Sequence, residues 1–241
     1  MVKIRYSCAG TFFSKISFLY QPMSKPVHHI IRNNTFWLSP QRCIFWENEQ
    51  ALIVSDLHLG KTGHFRKQGI AVPQAVYKED LQRLFSEMQY YKPKQLIIVG
   101  DMFHSKENRE LDLFVRWRSD MPQVEVHLIK GNHDILKEEW YQNANISISQ
   151  EQLCIGEFIF THEATATTCA GNDQPYIFSG HIHPGVSIHG LGRQSLTFPC
   201  YFFGEKGAVL PAFSKFTGVK VMHKGARDKV FAIVNQSVIA V

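Results

Sequence analysis

The sequence predicts an α/β protein built from two β-sheets face to face with helices outside, and three observations lead there. Between residues 51 and 134, short apolar runs alternate with longer amphipathic ones in the order strand, helix, strand, helix, strand. That order is the mark of parallel βαβ units. After Asn145 short strand-like runs dominate, with turns at Gly156, Gly171-Asn172, Gly190 and Gly204. Five small clusters of metal-ligand residues each follow an apolar run of their own. In open α/β sheets the carboxyl ends of the strands are where ligands bind, so the clusters would meet at one edge.

Taken in order, residues 1–34 read as an N-terminal extension, poorly ordered, and residues 35–241 as a single domain. The apolar stretch within residues 1–22 is broken by Ser and Lys, and no small-residue cleavage site follows it, which makes a poor signal peptide. Phe36-Trp37-Leu38, a Ser39-Pro40 turn and Cys43-Ile44-Phe45-Trp46 form a hairpin. Ala51–Ser55 is a buried strand. Gln74–Tyr91 is a helix that starts just after Pro73 and ends before Pro93. Its buried stripe is Tyr77, Leu81, Leu84, Phe85 and Met88. Gln95–Val99 is the next strand. Asn108–Ser119 is a second helix, with Leu111, Phe114, Val115 and Arg118 on one side. Val124–Ile129 is a strand, and Leu136–Tyr141 a short third helix. Phe158-Ile159-Phe160 and Tyr176–Ser179 are further strands.

The clusters are Asp56-Leu57-His58, Gly100-Asp101, Gly131-Asn132-His133-Asp134, Thr161-His162 and Gly180-His181-Ile182-His183. Asp-x-His alone occurs in many loops, and Gly-Asp is ordinary turn chemistry. The ordered set, each member after its own strand, is far more specific. Imidazole with carboxylate suits Mn, Fe or Zn rather than a soft thiolate site. The ligands are too many for one tetrahedral ion, so two divalent ions are expected.

The five clusters resemble the calcineurin-like metallophosphoesterases, over roughly Ala51 to His183. A narrower resemblance, to the DNA-ligase-associated metallophosphoesterases, is carried by Pro40–Trp46, Asp56–Lys61, His64–Pro73 and Leu210–Phe213. The resemblance implies a four-layer sandwich and hydrolysis of phosphodiesters. It implies that Asp56, His58 and His183 hold one ion, that Asn132, His162 and His181 hold the other, and that Asp101 bridges both. His133 then steadies the phosphoryl group or protonates the leaving oxygen. Asp134 either orients His133 or is a turn or helix-cap aspartate ahead of residues 136–141. The narrower resemblance implies Mn as the ion ahead of Zn, Fe or Mg. It also implies a DNA endonuclease or phosphodiesterase in repair, beside an ATP-dependent DNA ligase and a DEAD/DEAH-type helicase. The alternatives are a small-molecule phosphodiesterase, on a cyclic nucleotide or a nucleotide-sugar lipid, and a weakly catalytic scaffold. Many superfamily members carry Gly after the fourth-cluster histidine, whereas here Glu163 follows His162.

Substrate contacts are expected from Lys61, His64, Arg66 and Lys67, a basic loop with Phe65 interleaved, which could track phosphates and stack a base. A solvated loop with Phe65 packed inward is its alternative. His104, three residues after Asp101, either reaches the substrate or makes a structural hydrogen bond. Net charge adds nothing to the DNA reading. The formal +5 arises before residue 41, which holds five basic and no acidic residues, and the other 201 residues carry 21 of each sign. No apolar run is long enough to span a membrane. The five cysteines are widely spaced and odd in number, which argues against a disulfide framework and for a reducing, cytoplasmic compartment.

Overall fold

The computed structural model describes residues 25–59, 75–103, 109–164, 174–190 and 194–241. The first sheet has seven strands in chain order. β1 (Val27–Ile31), β2 (Asn34–Leu38), β3 (Ile44–Trp46) and β4 (Ala51–Ser55) form an antiparallel meander. From β4 onward the sheet is parallel, through β5 (Gln95–Val99), β6 (Glu125–Ile129) and β7 (Ser147–Ser149). The expected order of strand, helix, strand, helix, strand is present, with α1 (Ala75–Tyr91) and α2 (Arg109–Ser119) as the crossovers. A short α3 (Glu138–Asn143) precedes β7.

The second sheet is also mixed. Its path runs β14 (Lys220–Val221), β11 (Pro184–His189), β12 (Ser195–Phe203), β13 (Gly207–Val209), β10 (Tyr176–Ser179), β9 (Phe158–Thr161) and β8 (Gln152–Ile155). β15 (Lys229–Val234) pairs with β12 and carries β16 (Ser237–Ala240).

Strand periodicity explains how the layers join, because alternate residues face opposite sides of a sheet. Ala51 and Ile53 of β4, with Ile97 and Val99 of β5, face Phe158, Phe160, Phe178, Tyr201 and Phe203 of the second sheet. Leu52, Val54, Leu96 and Ile98 face the other way, onto the helices. There Leu84, Phe85 and Met88 of α1 meet Phe114 and Trp117 of α2 and Tyr141 of α3. The first sheet is therefore buried on both faces, which is why its parallel strands read as unbroken apolar runs. The three described helices all cover this one sheet. The outer face of the second sheet carries a smaller cluster of Cys200, Phe202 and Val230.

Three sequence readings change. The sheet begins before residue 35: β1 lies inside the segment assigned to an extension, and His29 within it packs on Phe203. Arg32 and Asn33 turn the β1–β2 hairpin with positive φ at both positions, 47° and 61°. That is the backbone of a type I′ turn, here without the Asn-Gly pair that usually betrays it. On α2, Val115 is exposed and Trp117 is buried in its place. Among the cysteines, Cys154 is disulfide-bonded, while Cys43 and Cys200 are free and buried. None of the described helices is long and apolar enough to cross a membrane.

Candidate metal centre

The five clusters leave the carboxyl ends of five strands, three from the first sheet and two from the second. Asp56 follows β4, Gly100-Asp101 follows β5, and Gly131–Asp134 begins two residues after β6. His162 follows β9, and Gly180–His183 follows β10. Their side chains converge into two groups, Asp56 with His58 and His183, and Asp101 with His162 and His181, each with ligand atoms within 4.8 Å of one another. In the first group, Asp56 Oδ1 lies 3.3 Å from His183 Nε2, which is 3.4 Å from His58 Nε2. In the second, Asp101 Oδ2 lies 3.5 Å from His162 Nε2, which is 3.2 Å from His181 Nδ1. Asp101 Oδ2 is also 3.9 Å from His58 Nε2. One carboxylate oxygen thus stands between the two groups.

These donors fit divalent cations. Imidazole nitrogens 3.2–3.4 Å apart cannot both present lone pairs without a cation or proton between them. Asp56 Oδ1 is buried and has no hydrogen-bond partner among the described residues, a costly state for a carboxylate oxygen that a cation relieves. Each carboxylate is held by one oxygen and leaves the other to the site. Asp56 Oδ2 accepts from the Ser55 hydroxyl at 2.5 Å and from the His181 main-chain N–H at 3.1 Å. Asp101 Oδ1 accepts from the His133 N–H at 2.9 Å. His162 Nδ1 lies 3.4 Å from the Val99 carbonyl oxygen, which favours the tautomer leaving Nε2 free to coordinate. Burial alone would raise the Asp101 pKa. The His162 ring, the His133 N–H and the charges of His162 and His58 outweigh it and hold the carboxyl well below the usual range. Burial lowers His162, but the Asp101 carboxylate outweighs that and raises it. Both shifts mark a pocket that stabilises positive charge beside a fixed anion.

The backbone is bent to make this possible. Asp56, His58, Asp101, His181 and His183 all have positive φ, between 46° and 65°. Each costs roughly 1–2 kcal/mol in an L-residue, and such outliers persist at functional sites where the surroundings over-determine them. Here a ladder between the first two clusters does so, with Asp56 N–H to Gly100 O at 3.2 Å, His58 N–H to Asp101 O at 2.8 Å and Leu59 N–H to Met102 O at 2.9 Å. Two glycines make room. A Cβ on Gly100 would stand 1.9 Å from His162 Nδ1, and one on Gly180 would stand 2.0 Å from Ser55 Oγ.

Asp134 is not the orienting partner of His133. Its carboxylate is buried and turned inward, accepting main-chain N–H groups of Met102 at 2.9 Å, Phe103 at 3.2 Å and Gly131 at 2.9 Å. It is not a helix cap either, since the residue capping α3 is Lys137. It ties the third cluster to the loop that carries Asp101. Burial pushes its pKa up to about 6, against those three N–H donors. Asn132 and His133 are exposed between Gly131 and Asp134. His133 Nε2 lies 4.0 Å from Asp101 Oδ2, and its ring is 5.6 Å from that of His58, edge to face. Glu163 Oε1 lies 3.8 Å from His181 Nε2. Sequence reasoning missed Ser55, whose only signal was a hydroxyl in the last position of an otherwise apolar strand. Lys61, His64, Arg66, Lys67 and His104 lie outside the described residues.

An α/β sandwich with a carboxylate set between two imidazole groups at its strand ends has the donor set of a metal-dependent hydrolase. Residues 50–160 match the calcineurin-like phosphoesterase family. The fold is similar to the crystal structure of Pseudomonas putida nuclease MPE, at 26% identity and a TM-score of 0.73, over 90% of this chain and 99% of that one. No curated protein sequence matches the chain significantly. The family match and the fold together support the metallophosphoesterase superfamily and metal-dependent phosphoester hydrolysis.

Proposed function

We propose that this hydrolase is a dinuclear phosphodiesterase that cleaves DNA in repair, in the cytoplasm, in company with an ATP-dependent DNA ligase and a DEAD/DEAH-type helicase. The observation that carries the dinuclear reading is Asp101 Oδ2, within 3.5 Å of His162 in one group and 3.9 Å of His58 in the other. The DNA reading is supported by likeness to a protein described as a nuclease and by the segments resembling ligase-associated enzymes. Asp56, His58 and His183 would hold one ion; Asn132, His162 and His181 would hold the second; Asp101 would hold both, with Mn proposed ahead of Zn, Fe or Mg. The ions would supply Lewis acidity toward the phosphoryl oxygens and an acidified water.

The chain's own residues then orient and protonate. Ser55, the His181 N–H and the His133 N–H fix the two carboxylates before substrate arrives, which is how preorganised sites avoid reorganisation during reaction. His133 holds no place in either group, and its side chain is 47% exposed beside Asp101. An imidazole so placed can give a proton to the leaving oxygen. His133→Ala should therefore lower turnover about 10²- to 10⁴-fold, the usual weight of a general acid, with metal content unchanged by mass spectrometry. Loss of metal in that variant would mean His133 is a ligand.

The function is tested with metal-stripped protein reloaded in turn with Mn, Zn, Fe or Mg. Bis-p-nitrophenyl phosphate is assayed beside single- and double-stranded DNA. Metal-dependent cleavage of both substrate types is expected. Cleavage of the small diester with DNA left whole would overturn the DNA assignment and point to a small-molecule diester.

A further inference from the structure

We infer that Arg83 and Arg42 are positioning residues for the metal centre, acting on Asp56 through a buried strap of main chain, Leu210–Ser214. The strap follows β13, and all five of its residues are buried. It bonds to both sheets at the points where metal-ligand residues leave them. The Leu210 N–H donates to Ser179 O at 2.8 Å, the Phe213 N–H to Ser55 O at 2.7 Å, and the Ser214 N–H to Asp56 O at 3.2 Å. Ser179 is the last residue of β10, just before Gly180-His181, and Ser55 is the last of β4.

Two guanidinium groups grip the strap from its other side. Arg83 NH2 donates to Phe213 O at 2.5 Å, and the guanidinium lies 4.3 Å over the Phe213 ring. Arg42 NH1 donates to Ser214 O at 2.9 Å and lies 3.4 Å from Ala212 O. Arg83 is itself fixed, by Asp80 Oδ1 at 2.8 Å and by Gln41 O at 3.3 Å. The arrangement works peptide by peptide. Phe213 C=O and Ser214 N–H belong to one peptide group, gripped at oxygen by Arg83 and donating to Asp56. Ala212 C=O and Phe213 N–H belong to the peptide before it, gripped by Arg42 and donating to Ser55. A peptide whose carbonyl accepts from a cation donates more strongly from its N–H, because hydrogen bonds in series polarise one another. The receiving residue, Asp56, is the one with φ of 53° and a buried carboxylate oxygen open to the site. The arginines thus help hold a strained metal-ligand residue in its working conformation without touching the ion.

This rests on the two groups being metal sites. Its test is calorimetric titration of Mn²⁺ into metal-stripped full-length protein, wild type beside Arg83→Met, which keeps the apolar stem over Phe213. About tenfold weaker binding of one of two ions is expected, the usual scale for losing a group that orients a ligand. A kcat decrease with KM within about twofold should accompany it, as expected when binding of substrate is untouched. Arg83→Lys should fall between the two proteins, since a single ammonium nitrogen can replace NH2 at Phe213 O and Asp80 but not also NH1 at Gln41 O. If Arg83→Met does not fold, Arg42→Gln is measured instead, removing the grip on Ala212 O, whose peptide donates to Ser55. A variant that melts lower yet binds both ions with wild-type affinity would overturn the positioning role and leave a stability role only. Wild-type protein that binds no Mn²⁺ or other divalent ion would instead defeat the metal-site reading itself.

Discussion

Asp101→Asn is expected to cripple hydrolysis, by about 10²- to 10³-fold, the scale seen when a group that stabilises transition-state charge is removed. The amide keeps the shape but removes the charge. It must present either its oxygen or its NH₂ to His162 and His58, now 3.5 and 3.9 Å from Asp101 Oδ2, and only the oxygen can meet a cation. The His133 N–H needs an acceptor too, at the position of Oδ1, so the amide can satisfy one demand and not both. Loss of at least one ion is expected with it. Metal counting by mass spectrometry and single-turnover hydrolysis of a small diester, run on the same sample, check this. Two retained ions and near wild-type turnover would show that Asp101 is not shared.

Gly100→Ala is expected to damage both stability and the second ion site. The new methyl would enter a backbone position with φ of 75° and stand 1.9 Å from His162 Nδ1. The left-handed conformation costs an alanine roughly 1–2 kcal/mol, and crowding in a packed interior adds about 1–3 kcal/mol. The His162 ring must swing away, which takes Nε2 from Asp101. Urea denaturation should show the midpoint falling, and titration should show selective loss of the ion held by Asp101, His162 and His181. Unchanged stability with two ions bound would mean that the loop after β5 yields more easily than its hydrogen bonds imply.

What could be read from the sequence, and what could not, divides by range along the chain. β4, β5, β9 and β10 announce themselves as apolar runs, and the ligand-type residues stand immediately after them, so the convergence of Asp56, Asp101, His162 and His181 follows from local pattern plus the geometry of sheets. Contacts between distant main-chain segments leave no such trace. Asp134 reads as a partner for its neighbour His133, yet its oxygens reach Met102 and Phe103, some thirty residues earlier. β1 stayed hidden because its turn places Arg32 and Asn33, rather than glycine, in the left-handed region. Trp117 displaces Val115 from the buried side of α2 because both lie near the margin of the stripe and the larger ring gains more from burial. Ser55 and Arg83 look like ordinary strand and helix residues until the fold brings Asp56 and Phe213 beside them.

The strap also orders events in time. A ribosome releases Asp56, His58 and Asp101 early, well before the second sheet exists. His162, His181 and His183 follow, and Leu210–Ser214 comes after all of these ligands. A nascent chain between residues 183 and 210 therefore carries every ligand residue but no backbone brace under Asp56. Chains stopped short of residue 210 are therefore expected to lack the brace under Asp56 even when every ligand residue is present.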